Sequence, residues 1–341
     1  MMNQLQQKEH MYRCIELAKN GIHTCKPNPR VGCVIVKDEK IIGEGWHKKT
    51  GGDHAEIMAL KNCEVNPEGS VVFISLEPCT HKGRTAPCIE ALIDAKVSKV
   101  IFSSLDPNPK VSGKSIDILS AAGIEVSHGL LEEESSELNI GFFQRMKRNR
   151  PFIRSKIGSS LDGKIALSNG ESKWITSAES REDVQNLRAR SCAMMTSNQT
   201  VLLDDPSLNV RINNFSDDDQ PMRVVIDSTM QCTGNEKIFQ LPGETMIHSK
   251  RVDEALFEHL ASIEINNVLV EAGPRMNGAL LEFNLIDELI IYMAPCILGP
   301  DAIDMFDSPV IKKLSDRYSF AIKDLTSIGP DMKITLRKEN V

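Results

Sequence analysis

Three potential zinc ligands and one carboxylate occur close together in the first third of the sequence. The ligands are His54, Cys79 and Cys88, and the carboxylate belongs to Glu56, two residues beyond the histidine. A catalytic zinc takes three protein ligands and keeps one position for water, and it lowers the pKa of that water to about 7. Glu56 can then move protons between the water and a leaving amine. These residues indicate a hydrolytic zinc site with one zinc ion per chain.

The order of the motif is typical of zinc deaminases of nucleobases, which carry H-x-E followed by P-C-x-x-C. The second half departs from that form, because eight residues separate Cys79 from Cys88. Three ligands remain, so the departure excludes no chemistry. A buried histidine or a free core cysteine would be the ordinary interpretation of any one of these residues. Four chemically matched positions together favour the zinc site.

The residues around the motif predict rigid elements that position it. The apolar, β-branched run at residues 70–76 predicts a buried strand. This strand delivers Cys79 beyond its C-terminal end, where α/β sheets place ligands. Residues 54–63 predict a helix with Asp53 as a possible N-cap, and another helix opens at Cys88. A cysteine in the first turn of a helix lies near the positive end of the helix dipole, which favours the thiolate.

Helix and strand signals alternate along the chain and predict an α/β protein whose sheets are covered by helices. The segment from Arg145 to Pro151 combines clustered charge with a proline and predicts a boundary, although its basic run could also be a phosphate patch. Two domains are therefore expected, residues 1–148 and 149–341. We expect strands at 31–37, 41–46, 70–76, 99–104, 124–128, 192–196, 222–227, 267–271 and 287–294, and helices at 3–20, 54–63, 88–95, 115–122, 130–148, 178–190 and 276–284.

A second candidate site follows the strand expected at residues 267–271. The chain continues through Gly273 and Pro274 into a helix. A strand, a glycine turn and a helix start together expose backbone N–H groups to a phosphate. An ordinary turn explains the same residues, and they do not form the G-x-G-x-x-G motif of a Rossmann fold. The residues alone therefore predict a deaminase joined to an α/β domain that could bind a phosphate.

Composition and charge argue against several classes of protein. The net charge of −7 argues against a general affinity for the nucleic acid backbone. No apolar stretch approaches the roughly 18 residues of a membrane span, and the N-terminus has no signal-peptide pattern. Nine cysteines spread over the chain fit reduced thiols. We therefore expect a cytoplasmic protein that binds neither nucleic acid nor a membrane.

Taken together, the motifs resemble those of the bacterial bifunctional riboflavin-biosynthesis deaminase–reductase family over nearly the full length. The matching segments are residues 27–32, 43–47, 54–56 and 77–88 in the N-terminal half, and 160–164, 170–176, 200–208 and 270–274 in the C-terminal half. The wide spacing between Cys79 and Cys88, with His81, Gly83 and Thr85 between them, is particular to this family among the zinc deaminases. One departure is Ser197, where the family more often has glycine.

The resemblance implies an N-terminal cytidine-deaminase-like α/β/α zinc domain followed by a dihydrofolate-reductase-like α/β domain. It implies two successive reactions on one small phosphorylated pyrimidine. The first removes the amine at C2 of 2,5-diamino-6-(5-phosphoribosylamino)pyrimidin-4(3H)-one by hydrolysis, and the second reduces the ribosyl side chain to ribityl with NADPH. The expected cofactors are thus zinc and NADPH. We also expect a homo-oligomer formed through the reductase domain.

The resemblance also assigns roles to individual residues. His54, Cys79 and Cys88 match the zinc ligands, and Glu56 matches the proton shuttle. The positions that match the deaminase substrate pocket are Asn28, His47, Arg84 and Asp106. Those that match nucleotide contacts of the reductase are Gly158, Trp174, Thr200, Asp204, Ser228, Gly273, Pro274, Arg275, Met276, Asn277, Gly278 and Ala279. Those that match substrate contacts of the reductase are Ser172, Arg188, Leu208, Arg211 and Glu271.

Arg188 and Arg211 are expected to hold the phosphate of the substrate in the reductase domain, because the planar guanidinium suits phosphate and keeps its charge. Without the resemblance, the same two residues would be interpreted as surface cations.

Two alternatives compete with this interpretation. One is a nucleoside or polynucleotide zinc deaminase with an unrelated C-terminal accessory domain, which would make no use of NADPH. The other is a structural zinc module that acts as a binding protein. Such a module would need a fourth protein ligand, which His47, His81 or Cys63 could supply.

Overall fold

The computed structural model describes residues 2–80, 87–109 and 111–338, and the chain splits into two compact units, Met1–Arg150 and Pro151–Val341. The division follows the basic run that ends at Arg150. Among the described residues, no helix has the length and the apolar character that a membrane crossing requires. Each unit carries its own sheet, and the two are described separately below.

The first unit contains a five-stranded sheet in the order β2-β1-β3-β4-β5. The strands β3, β4 and β5 run parallel, and β1 pairs antiparallel with β2 and β3. In chain order the elements are α1 (Gln4–Lys19), β1 (Gly32–Lys37), β2 (Lys40–Trp46), α2 (Ala55–Lys61), β3 (Val71–Leu76), α3 (Cys88–Asp94), β4 (Lys99–Ser104), α4 (Lys114–Ala121), β5 (Glu125–His128), α5 (Glu132–Leu138) and α6 (Ile140–Arg148).

Helices pack on both faces of this sheet and make the three layers that the sequence predicts. On one face, side chains of α2, α3 and α4 join the core that includes Val72 and Ile74 of β3. On the other face, α1 packs its buried side against Phe73. Because side chains of a strand alternate between its two faces, β3 contributes to both cores and is held firmly in place. The strand that precedes Cys79 is thus the centre of the unit.

Close packing between α2 and β2 depends on a glycine. A Cβ atom at Gly45 would lie 2.4 Å from the backbone nitrogen of Ala59 and 2.5 Å from the carbonyl oxygen of Ala55. Only glycine therefore lets the helix approach the strand this closely. The contact fixes the start of α2, where His54 and Glu56 lie.

Two expectations about helices in this unit are wrong. Asp53 does not cap α2, because His54 occupies the N-cap position and the Asp53 carboxylate instead accepts a 2.5 Å hydrogen bond from Lys61 Nζ. The helix expected over residues 130–148 is divided into α5 and α6 at Asn139. The side-chain amide of Asn139 exchanges two 2.8 Å hydrogen bonds with the backbone of Arg30, and this pairing accompanies the interruption of the helix.

The second unit contains an eight-stranded sheet in the order β10-β9-β8-β11-β6-β12-β15-β14. The strands from β10 to β12 in this order run parallel, and β15 and β14 continue the sheet as an antiparallel hairpin. The strands are β6 (Phe152–Ser160), β7 (Lys164–Ala166), β8 (Ala193–Ser197), β9 (Met222–Ile226), β10 (Thr245–His248), β11 (Asn267–Val270), β12 (Glu288–Ala294), β13 (Ile303–Asp304), β14 (Phe320–Ile328) and β15 (Asp331–Lys338). The helices are α7 (Ala178–Ala189), α8 (Asn198–Asp204), α9 (Lys237–Gln240), α10 (Glu254–Ser262) and α11 (Pro274–Glu282).

This sheet is also covered on both faces. Side chains of α10 and α11 pack on one face, around Val268 and Val270 of β11. Side chains of α7 and α8 pack on the other face, around Leu269 of the same strand. The α/β class expected for both halves of the chain is confirmed. The strands expected at 192–196, 222–227, 267–271 and 287–294 are confirmed to within one residue, whereas β10 and the β14–β15 hairpin were not expected.

Candidate active sites

Three side chains that can hold a metal ion converge in the first unit. The ring nitrogen Nδ1 of His54 lies 3.1 Å from the sulfur of Cys88 and 3.5 Å from the sulfur of Cys79. The ligand atoms of the three residues all lie within 4.8 Å of one another, and no other such group of His, Cys, Asp and Glu occurs within the part of the chain that is described. One nitrogen and two sulfurs are donors that zinc prefers. The donor set therefore fits a zinc ion, with Nδ1 as the nitrogen that faces both sulfurs.

The ends of three elements bring these ligands together. His54 immediately precedes α2, Cys88 is the first residue of α3, and Cys79 follows β3. The sulfur of Cys79 accepts a 3.3 Å hydrogen bond from the backbone nitrogen of Cys88, and the Cys79 carbonyl accepts one of 3.4 Å from Ile89. Hydrogen bonds from Cys88 and His54 outweigh burial and lower the pKa of the Cys79 thiol to about 4. The cluster thus favours a thiolate at Cys79, whereas the hydrogen bond with Cys79, followed by burial, raises the pKa of the Cys88 thiol. A metal ion requires both sulfurs as thiolates.

Glu56 provides a carboxylate on the first turn of α2, beside the cluster. Its side chain is buried, and its oxygen Oε2 has no hydrogen-bond partner. A buried polar atom without a partner is costly, which indicates that a metal-site water or a substrate group completes this position. Burial, followed by the nearby Cys79, raises the pKa of Glu56 to about 7. A carboxyl group with such a pKa can both accept and donate a proton near neutral pH.

His47 and Asn28 form a hydrogen-bonded pair next to the metal cluster. The rings of His47 and His54 meet edge to face, with centroids 5.2 Å apart. The Nδ1 atom of His47 lies 3.0 Å from the Asp53 carbonyl oxygen, which can only accept, so Nδ1 carries the proton. Burial lowers the pKa of His47 and favours this neutral ring. Its Nε2 then accepts from the Asn28 amide nitrogen at 3.1 Å, which leaves the Asn28 oxygen as a positioned acceptor.

Asp106 is the third described residue of the predicted substrate pocket. It follows the end of β4 and is buried, and its carboxylate accepts a 2.8 Å hydrogen bond from the backbone nitrogen of Asn108. Burial raises the pKa of Asp106 to about 7, and the charges of Glu77 and Cys79 add to this effect. The backbone nitrogen of Asp106 donates to the Glu77 carboxylate at 3.1 Å, which places Asp106 near the end of β3 that leads to Cys79. Arg84, the remaining predicted pocket residue, and His81 lie outside the described residues.

A cluster of charged side chains lies beside the C-terminal end of β11 in the second unit. Glu271, which follows β11, accepts hydrogen bonds of 2.7 and 3.0 Å from the Arg188 guanidinium in a bidentate pair. Lys156 of β6 lies 3.0 Å from the same carboxylate. Although burial by itself raises the pKa of Glu271, the two cations hold that pKa well below its ordinary value. Two cations and one carboxylate leave the cluster with one net positive charge.

Arg211 supplies a more accessible cation beside this cluster. Its guanidinium donates to the Ser207 hydroxyl at 3.0 Å, and it forms no salt bridge with the carboxylates that the structure describes. Both guanidinium groups contact Asn209, Arg188 through the Asn209 carbonyl at 3.1 Å and Arg211 through its side-chain oxygen at 3.3 Å. Burial and the charge of Arg188 lower the pKa of Arg211. Arg188 itself is 8% exposed, and its charge is paired with Glu271. Arg211 is therefore the better placed of the two to meet an anion.

The predicted nucleotide contacts lie at several strand ends of the same edge. Gly158 is near the end of β6, and Ser228 follows β9. Thr200 lies in the first turn of α8, the helix that follows β8. Ser197 caps α8, because its hydroxyl accepts from the backbone nitrogen of Thr200 at 3.3 Å. The serine that departs from the family pattern thus has a structural role here. Ligands of open α/β sheets bind outside the carboxyl ends of the strands, which is where these residues lie.

The segment from Gly273 to Ala279 is divided between solvent and core. Gly273 has open space around it, whereas the side chain of Asn277 is buried and accepts a 2.8 Å hydrogen bond from Ser155. A Cβ atom at Gly278 would lie 1.9 Å from the carbonyl oxygen of Asp307. Gly278 is therefore needed for the close packing of α11 against the backbone of Asp307. We expect contacts with a nucleotide to come from the start of α11 and from the backbone.

Four other predicted contacts differ in accessibility. Trp174 is 68% exposed, with the Arg181 guanidinium 4.4 Å from its ring centroid. Asp204 is exposed and Ser172 is partly exposed. Leu208 is 4% exposed with a φ of 46°, and its side chain belongs to the core below α7. Contact of Leu208 with a substrate would thus use its backbone.

Family models match both halves of the chain. Residues 4–104 match the zinc-binding region of cytidine and deoxycytidylate deaminases, and residues 151–334 match the RibD C-terminal domain. The riboflavin biosynthesis protein RibD of Escherichia coli is 43% identical over 364 residues, which cover 97% of this chain and 99% of that protein. The chain belongs to the RibD family. It is accordingly a bifunctional deaminase and reductase of riboflavin biosynthesis.

Solved structures of RibD proteins agree with this membership. A structure of Acinetobacter baumannii RibD superposes with a TM-score of 0.92 at 39% identity and covers 98% of this chain and 99% of that one. A diaminohydroxyphosphoribosylaminopyrimidine deaminase/5-amino-6-(5-phosphoribosylamino)uracil reductase from Thermotoga maritima gives 0.89 at 31% identity, with 98% and 99% coverage. The alternative of an unrelated C-terminal accessory domain is therefore wrong. The match at residues 151–334 identifies that half as the RibD reductase domain.

Two residues near the RibD sites were not identified from the sequence. Lys156 pairs with Glu271 in the second unit. Its signal was available, since it is a cation two residues before the predicted contact Gly158, although Arg154 on the same strand is a second cation. Glu77 is a buried carboxylate between β3 and Cys79. From the sequence, Glu77 is only a member of the segment 77–88 that matches the family. Its hydrogen-bond partners, Asp106, Gly113 and Ser115, lie 29 to 38 residues later in the chain.

Proposed function

We propose that this RibD-family chain acts on 2,5-diamino-6-(5-phosphoribosylamino)pyrimidin-4(3H)-one. Residues 1–148 would replace the amine at C2 by a carbonyl, and residues 149–341 would then reduce the ribosyl side chain to ribityl with NADPH. The observation that carries the proposal is the group of His54, Cys79 and Cys88 beside the unpartnered oxygen of Glu56. The name of the Thermotoga maritima relative supports this substrate.

In the deaminase half, we assign His54, Cys79 and Cys88 as the residues that hold zinc. Zinc, when bound, acts as a Lewis acid that makes a water molecule available as a nucleophile at neutral pH. Glu56 Oε2 takes one proton from the attacking water and passes it to the amine at C2, and the second proton of that water goes to the unprotonated ring nitrogen beside C2. The C–N bond then breaks and ammonia leaves as the carbonyl forms. Burial of Glu56 favours this dual use, because it keeps the protonated and ionised forms close in free energy.

The remaining deaminase residues position the pyrimidine. Neutral His47 holds the Asn28 amide so that the Asn28 oxygen can accept a hydrogen bond from a ring N–H or an amine. Asp106 offers a buried carboxyl group beyond the end of β4. We propose that Arg84 contacts the phosphate end of the substrate, as the family resemblance implies.

In the reductase half, NADPH supplies the hydride. We propose that the protein contacts the nucleotide through Gly158, Trp174, Thr200, Asp204, Ser228 and the segment from Gly273 to Ala279. Reduction of the ribosyl group also requires a proton, and Lys156 Nζ, which Glu271 holds at 3.0 Å, is the proposed donor. We propose that Arg211 holds the phosphate, and that Ser172 and the backbone of Leu208 contact the same substrate, as the family resemblance implies. Arg188 would act mainly by keeping Glu271 ionised and in place.

We further propose that the chain assembles through its reductase half and works in the cytoplasm. Strand β14 is an edge strand with Ile322 65% exposed and Leu325 55% exposed. An exposed edge strand with apolar side chains is a typical surface for pairing with a second copy. None of the nine cysteines, all of which the structure describes, forms a disulfide, which fits a reducing compartment. Light scattering of the purified chain would show whether it is an oligomer.

The substrate assignment is tested by incubating the purified protein with the diaminopyrimidine phosphate, with and without NADPH. Mass spectrometry should show replacement of the amine by a carbonyl without NADPH, and a further gain of two hydrogens with NADPH. Cytidine and adenosine serve as competing substrates. Turnover of a nucleoside in the absence of any change to the diaminopyrimidine would contradict the proposal.

A further inference from the structure

The carboxylate of Glu77 gathers four hydrogen bonds from one later segment of the first unit. Its oxygen Oε2 accepts from the backbone nitrogens of Asp106 at 3.1 Å and Gly113 at 3.0 Å. Its oxygen Oε1 accepts from the backbone nitrogen of Ser115 at 3.2 Å and from the Ser115 hydroxyl at 2.7 Å. Glu77 is 3% exposed and Ser115 is fully buried. The carboxylate thus satisfies four donors in the interior.

These donors bracket the segment that connects β4 to α4. Asp106 lies near its beginning, and Gly113 is the N-cap residue of α4 with a φ of 77°. Both backbone nitrogens meet on the same oxygen, so Glu77 closes this segment into a loop. A negative charge is also favourable at the N-terminus of a helix. Glu77 is therefore suited to holding both ends of the connection.

Glu77 is also tied to the metal cluster through the chain. It follows β3 directly, its backbone nitrogen donates to the Ser104 carbonyl at 2.9 Å, and Cys79 lies two residues further on. Glu77 therefore contacts the end of β4, the start of the connection between β4 and α4 at Asp106, and the start of α4. A change at this carboxylate would alter the position of Asp106 relative to Cys79.

We propose that Glu77 is a positioning residue of the deaminase. Its carboxylate holds Asp106, and the connection between β4 and α4 to which Asp106 belongs, at a fixed place beside the metal-binding cluster. This inference rests on the proposed role of Asp106 in binding the pyrimidine. Glu77 itself touches neither the substrate nor the metal. Its effect on the reaction passes through the backbone of Asp106.

Replacement Glu77→Gln tests the proposal in the full-length protein. Glutamine keeps the volume but offers one acceptor oxygen for four donors, so part of the hydrogen bonding is lost. Losing a hydrogen bond to a charged group weakens the hold on Asp106. KM for the diaminopyrimidine phosphate should therefore rise about tenfold. Zinc content and kcat should change much less. Glu125→Gln, the same substitution at an exposed ion pair with Lys99, is the matched control and should leave KM unchanged.

Hydrogen exchange of the peptide spanning residues 105–115 gives a readout that needs no substrate. Exchange should become faster in Glu77→Gln and remain normal in Glu125→Gln. Should Glu77→Gln fail to fold, Glu77→Asp keeps the charge and retracts it by one methylene, and it should raise both KM and the exchange rate. Unchanged KM and exchange in the folded variant would overturn the inference, as would loss of zinc and kcat at constant KM. If the wild-type chain did not deaminate this substrate, the proposed function would fail, and exchange alone would decide whether Glu77 holds the segment.

Discussion

The charged and metal-binding groups of the two units are arranged in opposite ways. In the first unit, His54, Cys79 and Cys88 direct their ligand atoms at one another, and Glu56 keeps one buried oxygen without a partner. In the second unit, Glu271 is fully engaged by Arg188 and Lys156. The arrangement in the first unit offers ligand atoms and a hydrogen-bond acceptor to one place, and it favours the binding of a cation and water. The second is internally paired with one excess positive charge, and it favours an anionic substrate.

The largest expected effect comes from removing the proton shuttle of the first unit. Glu56→Gln should lower the deamination rate by about 10²–10⁴-fold, since the amide cannot accept and return a proton. Zinc should remain bound, because Glu56 is not one of the three converging ligands. The deamination rate and the zinc content of the purified variant check this together. Near-normal deamination would remove Glu56 from the mechanism.

The matched variants Cys79→Ser and Cys88→Ser should behave differently from Glu56→Gln. Each removes a metal ligand, so each should lower the zinc content and destabilise the first unit. If both bound zinc as well as the wild type does, the metal would have to lie elsewhere.

The corresponding change in the second unit is Lys156→Met. Glu271 would keep its bidentate pair with Arg188, so the fold should survive. The reductase rate should fall by about 10²–10³-fold, because one donor of a proton or hydrogen bond is lost. NADPH oxidation with the deaminated intermediate measures this, and Lys99→Met, at a surface ion pair, is the control. A normal reductase rate in Lys156→Met would show that another group supplies the proton.

Buried ion pairs should also make the second unit sensitive to acid. Burial raises the pKa of Glu288, but Arg154 and Arg337 outweigh it and lower that pKa from 4.5 to about 2. A carboxylate with a lowered pKa stabilises the fold above its unfolded pKa, and the contribution is lost as the pH falls through the folded pKa. A shift of this size corresponds to about 3 kcal/mol.

Glu288→Gln should therefore lose about 3 kcal/mol of unfolding free energy at neutral pH, and the difference from wild type should shrink between about pH 4.5 and pH 2. Urea unfolding monitored by hydrogen exchange of the β6 and β12 amides would follow the second unit specifically. A difference that stayed constant down to pH 2 would assign the loss to packing rather than to charge.

The smallest expected effect separates the two arginines beside Glu271. Arg211→Ala should raise KM for the phosphorylated intermediate by about ten- to a hundredfold, since a charge-assisted hydrogen bond is lost. The deaminase rate and NADPH affinity should stay the same. Arg188→Ala should mainly destabilise the second unit, because Glu271 loses its bidentate partner. Equal losses with phosphorylated and dephosphorylated substrates would remove Arg211 from the phosphate site.

The difference between the units also explains what the sequence could predict. The strand expected at 70–76 is present as Val71–Leu76. The expected zinc ligands lie together because two of them stand at the starts of α2 and α3 and the third follows β3. The division of the helix expected over 130–148 was not predictable, since Asn139 pairs with Arg30, 109 residues away. The link between Lys156 and Glu271 likewise depends on the pairing of β6 with β11. Nothing in the local pattern reveals that strand order.

The central claim is that one chain contains two separate active sites, and it is tested by giving Glu56→Gln protein the already deaminated intermediate together with NADPH. We predict NADPH oxidation at the wild-type rate, because Glu56 belongs to the first unit and Lys156, Glu271 and Arg211 to the second. Lys156→Met should show the reverse pattern, with normal deamination and little reduction. Loss of both reactions in folded, zinc-containing Glu56→Gln protein would contradict the account and favour a single shared site.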